Sequence, residues 1–277
     1  MKTDMSWHTL FKYGDSLIGF MLSAVYGTLL TPAMVSKWSE DEDGKCKLCE
    51  EKMGTIQHIL AGCTVALSQG RYRWRHDKVL KQISEQVTFH CERRVNTYRN
   101  KASSGRQLID FVPAGKRRAG ANEKKESQGF GILGGTRDWI VLSDIEEQLK
   151  FPSDIVETRL RPDLVIFSRS AKTVLWWELT VPSEERIAES HELKLDRYNS
   201  LQAEIQAKGW CCYNFAVEVG ARGVVAKSLE SAARRVGFRG RELKKLVRES
   251  GKEAAHCSRW IYLLSRKKEW EFRKVGA

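Results

Sequence analysis

The sequence lacks the repeats that build rods and arrays. No Gly-X-Y run, long heptad pattern or internal repeat occurs in its 277 residues, which excludes a collagen-like rod, a coiled coil and a stacked-repeat architecture. It also lacks the cysteine pattern of a disulfide framework. The seven cysteines are an odd number, with Cys46, Cys49 and Cys63 close together, Cys211 and Cys212 adjacent, and Cys91 and Cys257 alone. A reducing compartment fits that usage better than secretion, and the adjacent pair reads as part of an apolar strand. Only one run, 16–36, is free of charge over a membrane-length stretch. Gly19, Ser23, Tyr26, Gly27, Thr28, Thr31 and Pro32 dilute it, and the basic flank and continuous Leu-rich core of a signal peptide are missing. We read it as a buried helix over about 10–29, ended at Thr31-Pro32 because proline cannot continue a helix and disfavours helical geometry before it.

What is present is a core-forming composition with uneven charge. Hydrophobic residues make up 42% of the chain, including nine Trp, ten Phe and seven Tyr, enough apolar surface to offset chain entropy. The length suits two modest domains or one large one. The formal charge is +12 and sits in two places. From Arg222 to the C-terminus 16 basic residues face six acidic ones, and within 92–128 ten face four. Clustered positive charge points to a polyanion, of which nucleic acid is the commonest.

Cys46-x2-Cys49-x8-His58-x4-Cys63 places four zinc-type ligands within eighteen residues. Zinc takes such a set tetrahedrally, and four protein ligands close a structural site. Gly54 and Gly62 are expected to give the tight backbone this needs. The run Arg71-Tyr-Arg-Trp-Arg-His76 follows, and arginine beside aromatics suits phosphate contact and base stacking. Arg71, Arg73 and Arg75 are therefore expected on a nucleic-acid surface. A helix is expected over about 66–89, a basic, glycine-rich linker over 92–135, and then a helix at 144–150.

The second constellation is Arg161-Pro-Asp163-x14-Glu178. Two strands, 164–167 and 173–179, would form a hairpin that brings Asp163 and Glu178 together. Glu178 stands in the apolar run Val174-Leu-Trp-Trp177, an expensive place for a charge unless something binds it. Two carboxylates converging at a strand end suit a hard cation such as Mg²⁺. A helix over 183–207 would carry Ile187, His191, Lys194 and Tyr198 on one face, with Lys194 able to reach the carboxylates. A strand at 213–219 and helices near 224–236, 240–249 and 253–267 complete a mixed α/β arrangement.

Arg-Pro-Asp163, then Glu178-Leu-Thr-Val-Pro-Ser-Glu-Glu185, then Lys194 and Tyr198, behind a CCHC knuckle, resembles the restriction-like endonuclease of site-specific non-LTR retrotransposons. Gly70-Arg-Tyr-Arg-Trp-Arg-His-Asp-Lys-Val-Leu80 and Val217-Glu-Val-Gly220 are similar too. The resemblance implies an α/β PD-(D/E)xK core over 136–277, preceded by a helical zinc-knuckle region at 1–91 and the linker. It implies Mg²⁺ on Asp163 and Glu178, Lys194 as the displaced catalytic lysine, Tyr198 as a supporting catalytic residue, and Arg161 in support of the site as a DNA contact. Thr180 stands where the unmodified motif has lysine, and Lys172 is the weaker competitor for that role. Asp144, Glu146 or Glu147 could add an acidic group. The implied activity is nicking of DNA to prime reverse transcription, in the nucleus, with DNA and element RNA as partners. The chain has no Tyr/Phe-x-Asp-Asp reverse-transcriptase signature, so that domain would be a separate partner. The alternative is a non-catalytic zinc-knuckle protein that binds nucleic acid.

Overall fold

The structure, a computed structural model, describes residues 12–40, 43–103, 131–134, 136–145 and 147–270, with 94–103 described as backbone only. Helix α1 (Asp15–Tyr26) buries Leu17, Phe20, Met21 and Ala24 and ends at Gly27, whose φ of 67° closes the helix in the left-handed conformation. A short helix, α2 (Pro32–Val35), leads into the knuckle. Then come α3 (Thr64–Ser68) and the 33-residue α4 (Arg71–Ser103). The expected helix at 66–89 is thus broken near Gly70, where φ is +73°, and runs on to Ser103. The first part of the expected linker is therefore helical, and most of the remainder lies outside the described residues.

Strands β1 (Ile140–Ser143), β2 (Leu164–Ser168), β3 (Thr173–Thr180) and β4 (Cys211–Glu218) form one sheet in the order β1-β2-β3-β4. The first three are antiparallel, and β4 is parallel to β3. Parallel neighbours need a crossover, supplied here by α5 (Ile187–Arg197) and α6 (Asn199–Ala207). Helices α7 (Lys227–Val236) and α8 (Gly240–Leu263) follow.

Both faces of the sheet are covered, which is why β2 and β3 read as unbroken apolar runs. Leu164, Ile166, Leu175, Trp177 and Val217 share a core with Val79, Leu80, Ile83 and Val87 of α4 and with α7 and α8. Val165, Phe167, Val174 and Trp176 pack on Tyr198, Leu201 and Ile205. A further core joins α1, Ile59, Leu60 and Trp74 to Ala255 and Ile261 of α8. The expected boundary at 91 therefore falls inside a helix that belongs to the sheet's own core. No described helix is long and apolar enough to cross a membrane.

Three expected helices differ. Among the described residues of 144–150 none forms, and Asp144 Oδ1 instead accepts the Leu149 amide at 2.7 Å, a side-chain contact that competes with helical hydrogen bonding. The 183–207 helix is interrupted at Tyr198 (φ −107°, ψ 6°), whose ring turns inward beside Trp176. The two helices expected at 240–249 and 253–267 are a single α8.

Candidate active site and metal-binding knuckle

The knuckle gathers its four ligands as the spacing demands. Cys46 Sγ lies 4.0 Å from Cys63 Sγ, and Cys49 Sγ lies 3.3 Å from His58 Nε2. All four ligand atoms fall within 4.8 Å of one another, so the cluster can hold a metal ion and is compatible with zinc. His58 opens a π-helical turn (His58–Gly62), and Cys63 ends it in extended geometry. Burial and nearby Lys52 lower the His58 pKa and favour the neutral imidazole a metal needs. Burial pushes the Cys63 thiol up to about 11, a cost that a bound cation would offset. Gly54 is required by close approach, since a Cβ there would meet Pro32 at 2.9 Å. Gly62 is not, because its space is open to 3.6 Å.

The hairpin meets expectation at its far end. Leu164 pairs with Trp177, which sets Asp163 opposite Glu178. Asp163 Oδ2 accepts the Leu179 amide at 2.7 Å, tying the loop before β2 onto β3. Glu178 is 2% exposed. Lys194 Nζ donates to its Oε1 at 2.5 Å, and Arg197 stands 4.0 Å from the same oxygen. Among the described residues Oε2 is buried with no hydrogen-bond partner. Burial first, and the Asp163 charge second, raise the Glu178 pKa despite Lys194. A buried carboxylate with one orphaned oxygen beside a second carboxylate fits a divalent cation.

The other site residues divide. Tyr198 is fully buried and its hydroxyl donates to the Arg161 carbonyl at 3.1 Å, so it anchors the backbone leading into Asp163. The Arg161 side chain reaches toward Asp144, 4.0 Å away. Lys172 sits in the β2–β3 turn with φ +45°, at the opposite end of β3 from Glu178, which removes it as the competing lysine. Glu146 lies outside the described residues.

Comparison with known proteins gives no match: no family model and no curated protein matches the chain.

Two of the three nucleic-acid arginines expected in the run after the knuckle are corrected. Arg71 is buried and donates to the carbonyls of Leu264 and Lys267, closing the end of α8. Arg75 is buried and donates to Leu60 O, Ser258 Oγ and Val181 O. It joins the knuckle, α8 and the segment after β3, and burial lowers its pKa to about 10. Only Arg73 is exposed. The apolar partners that surround the start of α4 pull in whichever arginines face them, and a run of basic residues alone does not show that.

His76 was not expected in the site. Its Nε2 donates toward Asp163 Oδ2 and Leu179 O, each at 3.3 Å, and its Nδ1 toward Asp77 Oδ1 at 3.0 Å. Both ring nitrogens face acceptors. Burial opposes the charged form, but the Asp163 and Asp77 contacts outweigh it and raise the pKa to about 9. No spacing ties residue 76 to residue 163; only the packing of α4 on the sheet does.

Proposed function

We propose that this chain is a metal-dependent DNA endonuclease with a zinc-stabilised knuckle, built on a PD-(D/E)xK core. The observation that carries the reading is the convergence of Asp163, Glu178 and Lys194, from a loop, a strand and a helix, around an unpartnered carboxylate oxygen. Asp163 and Glu178 would hold Mg²⁺, which when bound polarises a phosphate and lowers the pKa of water. Asp163 is fixed through Oδ2 by Leu179 and His76. Lys194 keeps Glu178 in place and sets a positive charge where phosphate charge develops. Arg161 and Tyr198 shape the approach to Asp163.

The knuckle would take Zn²⁺ and fix the start of α4, so that Arg75 and His76 are delivered to the sheet. DNA would lie on exposed basic residues, among them Arg73 and the cluster Arg234, Arg235, Arg239, Arg241, Lys244 and Lys245 on α7, α8 and the turn between them. By the resemblance, a reverse transcriptase uses the 3′-hydroxyl in the nucleus, and element RNA is a further partner. The test is nicking of supercoiled plasmid with Mg²⁺ or Mn²⁺, with DNA binding followed by gel shift. Binding without nicking under all metals would favour the non-catalytic nucleic-acid-binding alternative.

A further inference from the structure

Resting on the nuclease reading, we infer that His191, backed by Glu218 and Ser228, is the group that takes the proton from the attacking water. Glu218 ends β4 and is 1% exposed. Its Oε1 accepts from His191 Nδ1 at 3.0 Å, and its Oε2 accepts from Ser228 Oγ at 2.5 Å. The Glu218 amide in turn donates to Ser228 Oγ at 3.3 Å. Both carboxylate oxygens are thus committed, and the one facing α5 fixes the imidazole.

A carboxylate on Nδ1 sets the tautomer that leaves Nε2 as an acceptor. The His191 side chain is 38% exposed, so the ring reaches solvent. It stands one helical turn before Lys194, whose ammonium touches Glu178. The sheet gives the same neighbourhood independently. Thr180 pairs with Glu218, and Thr180 lies two residues beyond Glu178 on the same face of β3, about 7 Å along the strand. Asp163, Glu178, Lys194 and the His191–Glu218 pair therefore line one end of the sheet, where β3 and β4 both terminate. A buried, doubly hydrogen-bonded glutamate that holds a part-exposed histidine is costly to maintain for packing alone.

In the step, water oxygen forms a bond to phosphorus while Nε2 of His191 takes one water proton. The bond from phosphorus to O3′ breaks, and O3′ takes a proton from solvent, leaving a 3′-hydroxyl and a 5′-phosphate. The imidazolium then returns its proton to solvent.

The experiment compares wild type, His191→Ala, Glu218→Gln and Asp163→Ala for nicking of supercoiled plasmid in Mg²⁺. DNA binding is read by gel shift and folding by circular dichroism. His191 is part-exposed, so His191→Ala is expected to fold and bind DNA as wild type does. Its nicking is expected to fall about 10²–10⁴-fold and to recover in part with free imidazole, with Glu218→Gln reduced as well. A His191→Ala protein that nicks within about threefold of wild type, or whose loss imidazole does not restore, overturns the inference. If that happens while Asp163→Ala is inactive, only this inference falls. A wild type that never nicks overturns it together with the nuclease reading.

Discussion

At the scale of single residues, two buried charges have opposite consequences. Burial first, and the neighbouring Asp163 carboxylate second, raise the Glu178 pKa and so disfavour its ionised form. Replacing it by Gln removes that cost, so in EDTA Glu178→Gln is expected to raise the midpoint of thermal unfolding at pH 7, while nicking is lost. An unchanged or lower midpoint would show that the Lys194 contact outweighs the burial. Arg75 is the reverse case, because its buried guanidinium donates to three acceptors, Leu60 O, Ser258 Oγ and Val181 O. Arg75→Ala is expected to destabilise the fold by about 3–5 kcal/mol in urea titration. Arg73→Ala, at an exposed position, should stay within about 0.5 kcal/mol and weaken DNA binding with a shallower salt slope. Asp138 supplies a pH prediction. Burial raises its pKa, but the Ser168 hydroxyl and the Ser170 amide outweigh this and hold it well below the usual carboxylate range. A depressed carboxylate contributes stability above its unfolded pKa of about 3.9 and loses it as pH falls. Asp138→Asn should therefore lessen the fall in stability below about pH 4, measured by thermal unfolding.

At the scale of elements, the sheet hairpin was legible because alternation and composition both mark it. Strands expected at 164–167 and 173–179 form at 164–168 and 173–180. Glu178 was legible because a charge in an apolar run is conspicuous, and Glu218 in Phe215-Ala-Val-Glu218-Val carried the same signal unread. Helix boundaries were not legible where tertiary contact decides them. Two helices were expected at 240–249 and 253–267, yet α8 runs unbroken through Gly251 between them. Its place is set by close approach: a Cβ at 251 would meet the Gly223 carbonyl oxygen at 2.5 Å. Gly251→Ala is expected to destabilise the protein although alanine favours a helix by about 1 kcal/mol. A more stable variant would contradict that account.

At the scale of the whole molecule, the separation of a knuckle region from a nuclease region gives way to one connected body. The knuckle is tied to the start of α4 by the Tyr72 hydroxyl, and α4 supplies apolar side chains to the sheet's core and His76 to Asp163. That arrangement was not readable from the sequence, since linear spacing does not show which helix covers a sheet. It predicts that Cys46→Ser, or strong chelation, lowers the unfolding temperature of the whole chain in one transition. Two separate transitions would mean independent units. The most direct measurement of the central claim is nicking of supercoiled plasmid in Mg²⁺ by wild type, Asp163→Ala and Lys194→Ala, each also tested for DNA binding. The account predicts that all three bind and only wild type nicks. Wild type that binds but does not nick, or an Asp163→Ala protein that nicks as wild type does, would contradict it.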